Sequence, residues 1–230
     1  MRVWMVFLAG AAAASAQPFS FGVKGGLPLT DFFDAVNSNH FGYFSSTNRY
    51  IVGPTVELRL PFGLGVEFDA LYRHLHYNGV QNAVDVVINS STKSGDWEFP
   101  LLLKYRFRAP LVRPYADIGV AWDTLSGLTQ TLSQTVIPTR VTTTSTSSNP
   151  PELKNNTVTG FVIGGGLDIH AILLHISPEI RYTRWFDPHF QSPASAIISS
   201  GPSTVTASPP AIGNIRSTQN QVEFLVGFTF

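Results

Sequence analysis

The 230-residue chain has no cysteine, which excludes disulfides, zinc–thiolate centres and cysteine nucleophiles. It also has no net charge, since 15 lysine and arginine residues match 15 aspartate and glutamate residues. A nucleic-acid binder needs a basic excess to displace counterions from phosphate, so no nucleic-acid partner is expected. Charged residues make up only 13% of the chain, against roughly 25% in a typical soluble domain. Long apolar runs are missing too. No stretch approaches the roughly 20 residues that a membrane-crossing helix requires, and the mean hydropathy is only +0.10. What is abundant is glycine (19), proline (16) and aromatic residues (12%), a composition that suits many strands joined by neutral loops.

Both ends carry addresses. Residues 1–16, MRVWMVFLAGAAAASA, place Arg2 before an apolar run from Val3 to Ala14 and small residues at Ala14 and Ala16. That layout is a secretory signal peptide, with export through the Sec pathway and cleavage after Ala16 expected. The mature domain is then 17–230, with 14 basic against 15 acidic side chains. At the other end, Val222, Phe224, Val226, Phe228 and Phe230 alternate with Gln221, Glu223, Leu225, Gly227 and Thr229. This is a period-2 strand finishing on an aromatic residue.

The same alternation predicts eight strands, at about 19–29, 50–60, 64–76, 96–107, 113–123, 158–169, 173–185 and 219–230. One parity of each is apolar, as in Phe19, Phe21, Val23, Leu27 and Leu29 or in Ile118, Val120 and Trp122. The opposite parity holds Lys24, Glu57, Arg59, Glu67, Asp69, Arg73, Glu98, Lys104, Arg106, Arg113, Asp117, Asp168, Glu179, Arg181 and Glu223. Alternation alone does not say which parity faces inward. A soluble sandwich or lipocalin-like carrier buries the apolar side, whereas a membrane barrel turns it outward, because a cation facing mid-bilayer costs about 2–4 kcal/mol.

Three features favour the membrane. The strands are long, close to the roughly 9–11 residues that span a bilayer. Trp97, Tyr105, Phe107, Tyr72, Trp122, Tyr182 and Trp185 fall near strand ends, where aromatic girdles sit. Connections also alternate: Pro61-Phe62-Gly63, residues 108–112 and residues 170–172 are short, while the other four run to about 20, 19, 34 and 33 residues. Short periplasmic turns facing long extracellular loops give that pattern. The expected fold is therefore an all-β, eight-stranded antiparallel up-and-down transmembrane barrel. Extension of strands around 135–144 leaves a ten-stranded barrel as the variant.

The stretch Trp97-Glu98-Phe99-Pro100-Leu101-Leu102-Leu103-Lys104-Tyr105-Arg106-Phe107 resembles a strand of the porin-family outer membrane protein beta-barrel domain of Gram-negative bacteria. Pro114-Tyr115-Ala116-Asp117-Ile118-Gly119 and Ser177-Pro178-Glu179-Ile180-Arg181-Tyr182-Thr183-Arg184 are similar to further strands of it. The resemblance implies a small barrel of the OmpA/OmpX type in the bacterial outer membrane. It implies no shared catalytic residues. Phe224, Val226, Phe228 and Phe230 resemble the C-terminal signal that such barrels present to their assembly machinery.

The expected partners are thus outer-membrane lipid and, during biogenesis, the barrel assembly machinery; the chain is expected to be a monomer, and the extracellular ligand of the loops, if any, stays unnamed. Eight acidic and seven basic inward residues predict a cross-strand ion-pair network. In it Glu57, Glu67, Asp69, Asp117, Asp168 and Glu179 meet Arg59, Arg73, Lys104, Arg106, Arg113 and Arg181. An eight-stranded barrel is just wide enough for side chains to fill. The expectation is a plugged lumen with a structural and surface-interaction role, a narrow channel for ions or small solutes being the alternative. A lipid-modifying enzyme is a weaker one. His74 and His76 share one face near a strand end and His189 lies on the fourth loop, but G-x-S-x-G and H-E-x-x-H signatures are absent. No catalytic, cofactor or metal residues are expected. Gly164-Gly165-Gly166 lies inside a strand and is no phosphate loop.

Overall fold

The computed structural model describes residues 19–35, 41–45, 49–83, 85–171, 174–191 and 215–230. The expected leader at 1–16 lies outside them, as does most of the fourth long connection. Thirteen strands occur among the described residues: β1 (Phe19–Pro28), β2 (Phe33–Ala35), β3 (Phe41–Ser45), β4 (Ile51–Arg59), β5 (Leu64–Asp69), β6 (Leu71–Ala83), β7 (Val86–Arg106), β8 (Val112–Val136), β9 (Val141–Ser147), β10 (Thr157–Ala171), β11 (Leu174–Trp185), β12 (Ile215–Ser217) and β13 (Asn220–Thr229).

Eight staves close into a ring. Every pairing is antiparallel, running β1–β4, β4–β5 with β6, β5 and β6–β7, β7–β8, β8–β10, β10–β11, β11–β13 and back from β13 to β1. The ring closes where Val23 lies opposite Phe228 and Leu27 opposite Phe224. A closed ring leaves no edge with unpaired backbone groups, which is the condition for crossing a bilayer with strands.

Beta-5 and β6 form a single stave broken at Ala70. Thr55 pairs with Asp69 and Val52 with Tyr72, so Pro54 stands opposite Ala70. The Ala70 N–H donates to the Pro54 carbonyl at 3.0 Å, but proline has no N–H to return. The carbonyl of Ala70 instead crowds Gly53, where an added Cβ would lie 1.8 Å from it. Between β4 and β5, Phe62 and Gly63 both take positive φ, 66° and 85°, and Leu60 N–H closes on the Leu64 carbonyl at 2.9 Å.

The two central long connections are not loops for most of their length. Residues 77–83 and 86–95 continue β6 and β7 as a paired hairpin, and β8 runs on to Val136 before β9 folds back on it. Among the described residues β9 pairs with β8 alone and β3 with β6 alone, so both are arms above the ring and the ten-stranded variant is not formed. A bulge at Gly127 (φ 61°) shifts the β7–β8 register by one residue between Lys93 and Gly95, at the base of this extension.

Apolar side chains face outward all round the ring. Phe21, Val56, Phe68, Leu103, Ile118, Ile163, Ile180 and Phe228 are all exposed, while Lys24, Glu67, Asp69, Lys104, Glu179 and Arg181 are buried. Soluble proteins rarely expose a continuous apolar belt of this kind. Trp97, Trp122 and Tyr182 lie outward near the long-loop end, and Tyr105 and Phe107 near the short turns. Trp185 departs from the expected girdle. It turns inward and packs with Leu102, Ala121, Val158 and Val162. Its neighbour Arg184 is the outward charge, held at the rim by Asn220 at 2.7 Å.

Candidate functional site: the barrel lumen

Period-2 geometry sends one side chain in two from every stave into the same narrow space, so the lumen is built by alternation alone. Its contents fall into three levels.

At mid-height, three cations meet three carboxylates. The ammonium of Lys24 (β1) donates to Asp69 (β5) and Glu179 (β11), each at 3.1 Å, and also pairs with Glu67. Glu67 shares its second oxygen with Lys104 (β7), whose ammonium sits 4.2 Å from the ring centre of Tyr115 (β8). Arg181 (β11) reaches Glu179 at 2.7 Å, Asp69 at 2.9 Å and Glu67 at 3.5 Å. The hydroxyls of Tyr115 and Thr55 complete the set, donating to Glu179 at 3.1 Å and Asp69 at 2.6 Å. Six staves are tied through one network. Charges this deep are tolerated only because each has a partner.

Toward the short turns, Arg106 bridges Glu57 and Asp168, the latter at 2.8 Å. Asp168 accepts from His175 at 3.0 Å, and the rings of His170 and His175 meet at 3.7 Å. Arg59 is half-buried and touches His175 and Ser20 rather than a carboxylate. Arg113 is exposed and donates to the Ala109 carbonyl at 3.3 Å, because its position at the start of β8 lies below the enclosed part of the ring. The expected ion pairs of Arg59 and Arg113 are therefore replaced by these contacts. Asp117, opposite Lys104 on the neighbouring stave, is buried, and among the described residues neither of its oxygens has a hydrogen-bond partner.

Toward the long loops, Arg73 (β6) donates through Nε to Asp96 (β7) at 2.8 Å and lies 3.9 Å from Glu223 (β13). Above this pair sits an apolar cap. Phe32, Phe33, Leu75, Tyr77, Ile88, Leu125, Leu128, Leu132 and Phe190 form one buried cluster drawn from the first and fourth connections and the β6–β8 extensions. The Arg73 guanidinium lies 5.0 Å from the Phe32 ring centre, so the cap rests directly on the ion pair.

The structure also brings together residues that the expected charge network left out. Asp96 and Asp123 lie on the inward parity at the long-loop ends of the expected strands 96–107 and 113–123, two and six residues from Glu98 and Asp117, and His189 arrives from the segment after β11. The alternation within those spans already reaches both aspartates. Nothing local in the sequence aims His189 at them. By contrast, His74 and His76 lie on β6 at the rim, where His76 meets Ser91 Oγ at 3.3 Å. A cleft of about 260 Å³ lies on the extension, lined by Asn78, Asn89, Ser90, Ser91, Thr131 and Ser133 among others.

The family model described as the outer membrane protein beta-barrel domain matches residues 3–186 of this chain. The chain belongs to that family. This outer membrane protein beta-barrel chain is also similar to solved structures of small outer-membrane proteins. One is OprG from Pseudomonas aeruginosa, with 12% identity, 92% of each chain covered and a TM-score of 0.45. Another is Ail, the attachment invasion locus protein of Yersinia pestis, with 8% identity, 92% of this chain and 96% of that one covered, and a TM-score of 0.36. A third is the N-terminal β-barrel domain of OprF from Pseudomonas aeruginosa, at 14% identity, 93% and 98% coverage and a TM-score of 0.32. Comparison with curated proteins gives no match.

Proposed function

We propose that this family member is a closed, non-catalytic barrel of the bacterial outer membrane, whose work is structural and is done at the surface by its extracellular extensions. The observation that carries this reading is the lumen itself. An ion-pair network crosses it at mid-height, and a buried apolar cluster sits above it. A solute path would need a continuous polar passage, and these side chains occupy the space. The hydroxyl- and amide-lined β6–β9 extension and its cleft supply a polar surface for contact outside the membrane.

On this reading the chain is exported by the Sec pathway, cleaved after Ala16 and folded as a monomer in outer-membrane lipid. The barrel assembly machinery engages the terminal strand through Phe224, Val226, Phe228 and Phe230. All four share the outward parity, with Phe224, Phe228 and Phe230 exposed, and the Phe230 N–H bonds the Phe21 carbonyl at 3.0 Å.

Single-channel recording of the refolded chain 17–230 in a planar bilayer tests the closed lumen. Insertion without current steps is expected. Discrete, reproducible steps would overturn the closed-lumen reading in favour of a narrow channel, and the mid-height cations would become its selectivity residues.

A further inference from the structure

Charge does not balance at the long-loop end of the lumen. Asp96, Glu98, Asp123 and Glu223 are all buried there, and Arg73 is the cation among them. Arg181, the next cation toward the short turns, is engaged by Glu179 and Asp69. Arg73 occupies Asp96 Oδ2 through both Nε and Nη2, which leaves Asp96 Oδ1 without a hydrogen-bond partner. Among the described residues no donor reaches either oxygen of Asp123, whose carboxyl faces that of Asp96, although Asp123 has no solvent exposure.

His189 shows what faces these oxygens. Its Nδ1 lies 2.9 Å from the Asn155 carbonyl, which can only accept, so Nδ1 carries the proton. Its Nε2 stands 3.2 Å from Asp123 Oδ2 without hydrogen-bond alignment. A buried pair of polar atoms at that separation without an aligned hydrogen bond is costly unless a proton or a metal cation joins them. The ring is fixed for this: Lys154 N–H donates to the His189 carbonyl at 2.8 Å, and Phe32 stacks on the imidazole at 5.9 Å.

We propose that Asp96, Asp123 and His189 form a binding site for one divalent transition-metal cation at the extracellular rim of the barrel. One ligand atom from each residue lies within 4.8 Å of the other two. A tetrahedral Zn²⁺ with bonds of about 2.0–2.2 Å holds its ligands about 3.3–3.6 Å apart, and the Asp123–His189 separation already has nearly that value. The mixed imidazole and carboxylate set suits Zn²⁺ or a similar first-row ion. An imidazole whose other nitrogen donates to a backbone carbonyl is the usual orientation of a metal-bound histidine. The cation would join β7, β8 and the segment after β11, tying the apolar cap to the ring.

The second histidine cluster does not make the same case. At Asp168, His170 and His175 the carboxylate is already satisfied by Arg106 and His175, and Arg59 lies 3.4 Å from the remaining nitrogen of His175.

The test is equilibrium dialysis of the refolded, chelator-stripped chain 17–230 against Zn²⁺, with bound metal counted per chain. One bound Zn²⁺ is expected, with affinity falling at least about tenfold in both Asp123→Asn and His189→Ala and unchanged in His170→Ala. Asp123→Asn keeps the side-chain shape and His189 lies outside the ring, so retained heat-modifiable migration on gels confirms that each variant is folded. A wild-type chain that takes up no Zn²⁺, with Asp123 and His189 sharing a proton, overturns the proposal. So does Zn²⁺ uptake that survives both rim variants or is lost in His170→Ala. None of these readouts depends on whether the lumen conducts.

Discussion

Arg181 contacts three carboxylates from a position with no solvent exposure, and each of them belongs to a network shared with Lys24 or Lys104. Replacing it with methionine keeps the bulk and removes the charge, leaving Glu179 and Asp69 with fewer partners in a buried space. Breaking one member of a buried ionic set costs about 3–5 kcal/mol, so Arg181→Met should lower stability by that order in urea unfolding of the refolded chain. A loss under about 1 kcal/mol, the value of an exposed pair, would contradict the network. Backbone proximity makes a second prediction at this scale. Gly53→Ala places a Cβ 1.8 Å from the Ala70 carbonyl, whereas at Gly25 the nearest atom is 3.5 Å away. Gly53→Ala should lower the thermal midpoint clearly and Gly25→Ala little; equal effects would remove Pro54 and Ala70 as the cause of the broken stave. The mid-height charges were legible in the sequence because each sits between two apolar neighbours on its own strand. His189 was not, since its partners come from β7 and β8 and only tertiary structure brings a loop residue to them.

The strands differ in how much of themselves the sequence discloses. Within the membrane one face meets lipid and the other the lumen, so hydrophobic alternation marks the stave. Above it the outward face meets water instead of lipid and the inward face mixes hydroxyls with the apolar cap, so the alternation fades while the hydrogen-bonded ladder continues. Residues 86–95 and 125–136 therefore read as connections yet are strands, paired from Val86–Val136 down to Lys93–Thr129 and beyond the Gly127 bulge. Trp185 was misread for a related reason: at a strand end, aromatic identity does not fix the parity. The arms are separable from the ring by the same logic. Ser133 and Thr144 face one another across β8 and β9, so excising 134–143 and joining the ends with a two-residue turn removes no lumen residue and leaves Leu128 and Leu132 in the cap. The shortened chain should keep its heat-modifiable migration on gels. Loss of that migration would mean the arm helps hold the ring closed.

For the whole molecule, one physical rule accounts for composition, alternation and closure together. Charges are few because half the strand positions face lipid, and they concentrate on the other half because the lumen is where they can pair. Short turns at one end and extended hairpins at the other follow from strands that all cross the same layer. The claim on which this rests is that the apolar parity lies in lipid and the charged parity in a filled interior. The mature chain tests it with its own three tryptophans, since Trp97 and Trp122 are outward-facing and Trp185 is buried inside. In vesicles of brominated lipid, the Trp185→Phe variant should be strongly quenched relative to ordinary lipid, and the Trp97→Phe/Trp122→Phe double variant should be quenched little. Strong quenching of Trp185 with Trp97 and Trp122 unaffected would mean the barrel is turned the other way, with its apolar face inside.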